Sequence, residues 1–270
     1  MNAAQMNNRV EVSIDGDIGT VCLNKPERGN AIDNQMAREV TTAINRFVED
    51  DIVRAVVVRS NGAHFCTGAD ISDNKRDKNT PRPKVGHMLR SLGSAPHAMI
   101  DAVWNCPLPT VAEVTGRASG LGLHLALACD FAVCARSATF AEPFIERGFS
   151  VDSGGSWLLQ RAVGMRRAKQ LLLLTDPVDS TTALEWGLVS EVTPDDQVAI
   201  RCNDLARVLA AKSTFAVGIT KSLLNQATES TLAEALEREA HGVEITIRSD
   251  DFKEGMRAFR EKRKPKFEGR

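Results

Sequence analysis

Phe65-Cys66-Thr67-Gly68-Ala69-Asp70-Ile71 and, further along, Gly116-Arg117-Ala118-Ser119-Gly120-Leu121-Gly122-Leu123-His124 decide how this chain is read. Each is a short glycine-containing turn leading toward a helix. The first follows the β-branched run Val56-Val57-Val58, and the second opens into the apolar stretch from Leu123 to Cys129. Taken singly, such a turn is ordinary connection. Taken together, two of them can aim two backbone N–H groups at one point and stabilise charge developing on a carbonyl oxygen. Glycine suits this because it tolerates positive φ and lets a ligand approach the backbone. A helix N-terminus adds unpaired donors and the positive end of a dipole.

Working outward, Val10 to Ile14 and Ile18 to Leu23 flank Asp15-Gly16-Asp17 as a β-hairpin. Asp33 is placed to cap a helix running to about Val48. Residues 55–59 form a buried-type strand, and 72–84, polar with Pro81 and Pro83, form a mobile loop. A helix over 85–104, a strand over 110–114 and short strands at 131–134 and 139–140 follow. The pattern then turns almost wholly helical, over 195–211, 214–227, 231–248 and 251–263. Strands alternating with helices, then a helical tail, predict an α/β core with a C-terminal helical module.

The 270 residues suit one large domain or a domain with an appendage, and 43% apolar content is enough to bury a proper core. With 34 basic and 35 acidic residues, the near-neutral balance gives no reason to expect nucleic-acid or membrane partners. The six cysteines form no Cys-x-x-Cys pair and sit mostly in apolar contexts, which predicts buried, reduced thiols and no metal. The polar N-terminus lacks an apolar signal core, so a cytoplasmic protein is expected. There is no P-loop, dinucleotide fingerprint, metal-ligand cluster or Gly-x-Ser-x-Gly elbow.

The two turns, in this order, resemble those of the crotonase (enoyl-CoA hydratase/isomerase) superfamily. Further similarity runs through Leu23 to Ile32, Leu127-Ala128-Cys129-Asp130, Asp152 to Leu159, Ala183 to Val189 and Phe259 to Pro265, nearly the whole chain. The resemblance implies a crotonase-like spiral of ββα units with a C-terminal helical oligomerisation module, the core over 1–200 and the module over 201–270. It also implies an acyl-CoA thioester as substrate, coenzyme A being part of that substrate with no separate cofactor, and a homotrimer or dimer of trimers. By position, the oxyanion donors would be the N–H groups of Ala69 and Leu121. Coenzyme A would lie near Arg28, Ala31, Ala69 and Ile71, with Phe259 and Lys262, of the same or a neighbouring subunit, completing the site.

Hydratases of this family activate water with two glutamates, which would fall at positions 124 and 144. Here those positions hold His124 and Phe144, so a two-glutamate hydration is not expected. Glu142 and Glu146 are close by, but an alternating segment would put them on the face of Phe144. Asp152 matches the place where several family isomerases carry a catalytic aspartate and a family dehalogenase its nucleophile. From the residues alone, Asp152 before Ser153-Gly154-Gly155 reads first as a helix N-cap. His124 is either a satisfied core histidine or a second acid–base group facing substrate. His97 falls roughly where the dehalogenase keeps a histidine. Two classes of function remain open. One is an enzyme acting on acyl-CoA, most directly by enoyl-CoA isomerase or hydratase-like chemistry, with Asp152 as base, or by a dehalogenase- or thioesterase-like hydrolysis. The other is a catalytically silent acyl-CoA-binding paralogue.

Overall fold

A computed structural model describes residues 9–71 and 83–269. Nearly all of the loop expected over 72–84 lies outside the described residues. In chain order the strands are β1 (Val10–Asp15), β2 (Ile18–Leu23), β3 (Ala55–Ser60), β4 (Thr110–Val114), β5 (Arg117–Ser119), β6 (Phe131–Ala135), β7 (Thr139–Ala141), β8 (Val178–Asp179) and β9 (Glu191–Thr193). The first five helices are α1 (Asn34–Glu49), α2 (His87–Ser94), α3 (Pro96–Trp104), α4 (Leu121–Ala128) and α5 (Gly155–Leu174). The other five are α6 (Ser180–Trp186), α7 (Val198–Ala210), α8 (Thr214–Ala227), α9 (Leu232–Thr246) and α10 (Asp250–Arg260).

The expected hairpin forms, with Gly16 at φ +61° in its two-residue loop. Beyond it the strands pair in parallel, giving the order β1-β2-β3-β4-β6-β9. In β3 the run Ala55-Val56-Val57-Val58 is buried throughout because both faces of the sheet are covered. Val56 and Val58 join the main core with residues of α1, α3 and α4. Ala55 and Val57 join a second cluster with Val198, Cys202 and Ala206 of α7. A smaller sheet, β5-β7-β8, carries the second turn.

Asp33 caps α1 as expected, its Oδ1 accepting from the N–H groups of Gln35 and Met36 at 3.0 and 2.9 Å. The single helix expected over 85–104 is instead two. Ala95 leaves the helical region at φ −139° and ψ −82°, and Pro96 starts α3. Proline lacks an N–H and disfavours helical geometry in the residue before it. A boundary between 200 and 201 would cut α7, whose Cys202, Ala206 and Ala210 are core residues, so the packed core continues through 210. Beyond it, α8, α9 and α10 expose Leu224, Leu232, Leu236, Val243, Phe252 and Phe259.

The tail is tied to the core by charge. Arg54 donates to Lys212 O at 2.8 Å, Phe267 O at 2.7 Å and Thr214 Oγ1 at 3.0 Å. Lys221 Nζ of α8, 9% exposed, meets Asp130 Oδ2 at 2.8 Å, and the same oxygen accepts from Thr110 N at 2.7 Å. Asp130→Ala removes the one carboxylate that meets Lys221 among the described residues and should cost about 3 kcal/mol in urea unfolding, because breaking one side of a buried pair leaves its charge unmatched. An unchanged unfolding midpoint would show that this pair contributes nothing to stability.

Candidate active site

A short parallel ladder joins the two glycine turns. Phe65 N–H donates to Thr115 O at 2.8 Å, Cys66 N–H to Arg117 O at 3.0 Å, and Ser119 N–H to Cys66 O at 2.9 Å. Glycine permits that closeness. A Cβ on Gly122 would run into Cys66 O and lie 2.6 Å from Cys66 Cβ, while Gly68, at φ +114°, would meet Ser119 O at 3.2 Å.

On its other side the first turn pairs with Ile32, whose N–H donates to Gly68 O at 2.8 Å and whose O accepts from Asp70 N–H at 2.8 Å. Ala69 lies between those two bonds, so its own N–H is left out of the ladder. Leu121 is the first residue of α4, behind a Gly120 N-cap at φ +50° that offers no capping side chain. Among the described residues, neither Ala69 N–H nor Leu121 N–H has an acceptor. Ala69 and Leu121 line the same narrow cavity, about 30 Å³ in volume, together with Phe144, Arg147, Phe149 and Asp152.

That cavity adjoins a wider one of about 420 Å³ that also reaches Ala69, Ile71 and Arg147 and continues past Arg28, Ala31 and Arg117. Four of the six positions expected near coenzyme A are therefore together. The other two are not: Phe259 is 79% exposed on α10, and neither it nor Lys262 lines either cavity within one chain.

Asp152 is half-buried on the cavity wall. The helix behind it starts at Gly155 with Gly154 as its N-cap and has no side-chain cap; Asp152 contributes only its backbone oxygen, which accepts from Gly155 N–H at 3.0 Å. Among the described residues its carboxylate has no hydrogen bond or ion pair. The alternative of Asp152 as a helix cap therefore does not hold.

His124 is fully buried and does not line the cavity. Its ring is stacked behind Phe144, centroids 5.7 Å apart and 5° from parallel, and Phe144 meets Phe149 edge-on at 5.3 Å. Glu142 is buried against His124, as Phe144 is, whereas Glu146 does not share that face. Beyond Phe144 the chain turns into a single 3-10 turn over Ile145–Arg147 instead of alternating. Glu146 goes outward, where its Oε1 accepts from Thr175 Oγ1 at 2.8 Å. His97 is exposed on α3 and lines neither cavity.

Arg147 and Phe149 were not expected at the site. The signal for them was Gly148, left-handed at φ +76°, which ends the 3-10 turn. Cys66 sits in the first turn, but burial pushes its thiol up to about 12, which removes it as a nucleophile near neutral pH. All six cysteines are free and buried. Among the described residues no group of three His, Cys, Asp or Glu side chains could hold a metal. The site thus offers two unsatisfied N–H donors, one free carboxylate and aromatic walls. This combination suits removing a proton next to a carbonyl and holding the resulting oxyanion.

A family model described as enoyl-CoA hydratase/isomerase matches residues 13–270. The chain is 34% identical to 1,2-epoxyphenylacetyl-CoA isomerase of Escherichia coli K12, over 95% of this chain and 97% of that one. It is 30% identical to 4-chlorobenzoyl coenzyme A dehalogenase-1 of an Arthrobacter species, over 96% and 93%. The crystal structure of an enoyl-CoA hydratase from Polaromonas sp. JS666 superposes with a TM-score of 0.89 at 29% identity, covering 96% of this chain and 99% of that one.

Proposed function

This chain belongs to the enoyl-CoA hydratase/isomerase family and is an acyl-CoA-processing enzyme, and from that premise we propose that it moves a double bond in an acyl-CoA thioester, with Asp152 as the acid–base group. The observation that carries this reading is the free Asp152 carboxylate lining the same cavity as the acceptorless N–H groups of Ala69 and Leu121. The carboxylate takes a proton from the α- or γ-carbon. The electron pair of that C–H bond moves into the conjugated system, and the thioester oxygen gathers the charge between the two N–H donors. The same carboxyl group then returns the proton to a different carbon, so no water is consumed. Phe144 and Phe149 give the cavity apolar walls at the Asp152 carboxyl, which favours proton return over the addition of water.

For His124 the sequence leaves two readings open, a buried core histidine or an acid–base group facing substrate. Stacked behind Phe144 and off the cavity wall, it has no path to substrate in this arrangement, and both proton transfers fall to Asp152. The wider cavity past Arg28, Ala31, Ala69 and Ile71 accepts the coenzyme A portion. Phe259 and Lys262 would reach that portion only from a neighbouring copy, which the apolar faces of α8 to α10 would hold in a trimer or dimer of trimers. No helix among the described residues is long and apolar enough to cross a membrane, and a cytoplasmic location completes the proposal.

The test is a panel of 2- and 3-enoyl-CoA esters followed by mass spectrometry and NMR. Positional isomers of unchanged mass are the expected product. A product heavier by one water would mean hydration, and binding without turnover would mean a silent paralogue. A free acid released together with coenzyme A would mean hydrolysis.

A further inference from the structure

Behind the cavity lies a buried group of polar atoms that the proposed chemistry leaves unused. His124 Nε2 and Glu142 Oε1 are 3.1 Å apart, and both side chains are wholly shielded from solvent. Neither imidazole nitrogen nor either carboxylate oxygen has an aligned hydrogen-bond partner. A lone carboxylate in such a place is costly, and so is a lone imidazolium. One proton held between the two removes the problem, because the pair carries no net charge whichever atom holds it.

The pair touches α4, the Phe144 turn and the start of α5, three of the elements around the cavity. His124 stands on α4, the helix whose first N–H is the Leu121 donor. Its ring is stacked parallel to Phe144, which in turn would lie 3.5 Å from a Cβ on Gly120 and meets Phe149 edge-on. On another side the ring fills the space a Cβ on Gly155 would need, so it abuts the start of α5 directly after the Asp152-Ser153-Gly154 turn. Glu142 immediately precedes the Pro143-Phe144 turn. We propose that His124 and Glu142 are a positioning couple that sets Phe144 and the Asp152 turn relative to the oxyanion donors. They do this without touching substrate. This rests on Asp152 being the base.

Two readouts test the couple, one of them independent of chemistry. Glu142→Ala should lower kcat about 30-fold with KM within about threefold, since small misplacements of a catalytic group cost up to about 100-fold. It should also speed amide hydrogen exchange across residues 149–155. Glu142→Gln keeps the shape and an acceptor for the imidazole N–H, and should restore both kcat, to within about threefold of the wild type, and exchange protection. If the alanine variant does not fold, Glu142→Met fills the space and should show the same two losses. A lowered melting temperature with kcat and exchange unchanged would make the couple mere filling and overturn the proposal. Glu142→Gln as impaired in kcat as Glu142→Ala, with exchange unchanged, would overturn it in favour of a direct proton carrier. If wild type and Asp152→Asn turn over alike, the reading of Asp152 as base falls, and the exchange data still decide whether the couple holds the turn.

Discussion

Asp152→Asn is expected to lower acyl-CoA turnover by about 1,000-fold, within the range that a positioned general acid–base group contributes. Coenzyme A ester affinity and melting temperature should stay close to wild type. The reason is local. The Asp152 side chain caps no helix and accepts no hydrogen bond among the described residues, so an amide of the same shape leaves the turn before α5 intact. The amide can no longer accept a proton from carbon. Steady-state kinetics, ligand titration and a thermal melt together check the expectation. A variant that melts early yet keeps its kcat would show that Asp152 serves the turn and not the chemistry.

Gly122→Ala should damage the site from the opposite direction, by about 100- to 1,000-fold in kcat, the cost of losing one oxyanion donor. A methyl group at position 122 would meet Cys66 O, Cys66 Cβ at 2.6 Å and Cys66 Sγ at 2.8 Å. Cys66 O is itself a ladder acceptor, taking the Ser119 N–H at 2.9 Å and so holding the first turn against the second. The first turn must retreat or α4 must rotate, and either movement separates the Ala69 and Leu121 N–H groups. Overpacking of this kind also costs about 1–3 kcal/mol of stability. The kinetic loss should exceed what the change in folded fraction explains. A destabilised variant with normal kcat per folded molecule would show that the spacing of the turns is not critical.

These effects concern features unequally visible in the sequence. The two turns were legible because glycine at Gly68, Gly120 and Gly122 answers a backbone demand that is local: positive φ or close approach. The hairpin and the Asp33 cap were legible for the same reason, each being settled within a few residues. The break at Ala95 was present in Pro96 and was passed over because the apolar spacing continued across it. β8 and β9, of two and three residues, are too short to show a period; they exist because neighbouring strands pair with them.

The site shows the same division. Ala69 and Leu121 follow from the turns that contain them. The contact of Glu142 with His124 does not, because it depends on α4 lying opposite. Alternation, a rule for strands, carries through Phe140, Glu142 and Phe144 and fails at Glu146, within the 3-10 turn. Phe149 and Arg147 reach the cavity only because the 3-10 turn folds back, which residue spacing does not encode. Whether Asp152 caps a helix turned on a shift of the helix start to Gly155, and helix ends are the least certain feature of any sequence.

The central claim is that Asp152 removes a carbon-bound proton while the Ala69 and Leu121 N–H groups hold the thioester oxygen. It is tested most directly by incubating a 3-enoyl-CoA in deuterated water with wild-type protein and with Asp152→Asn, and following the α-carbon by proton NMR. The wild type should shift the double bond and introduce deuterium at the carbons that lose and gain protons. Asp152→Asn, binding the ester equally well, should leave both the bond and the α-protons untouched. Undiminished isomerisation and exchange in Asp152→Asn would contradict the claim.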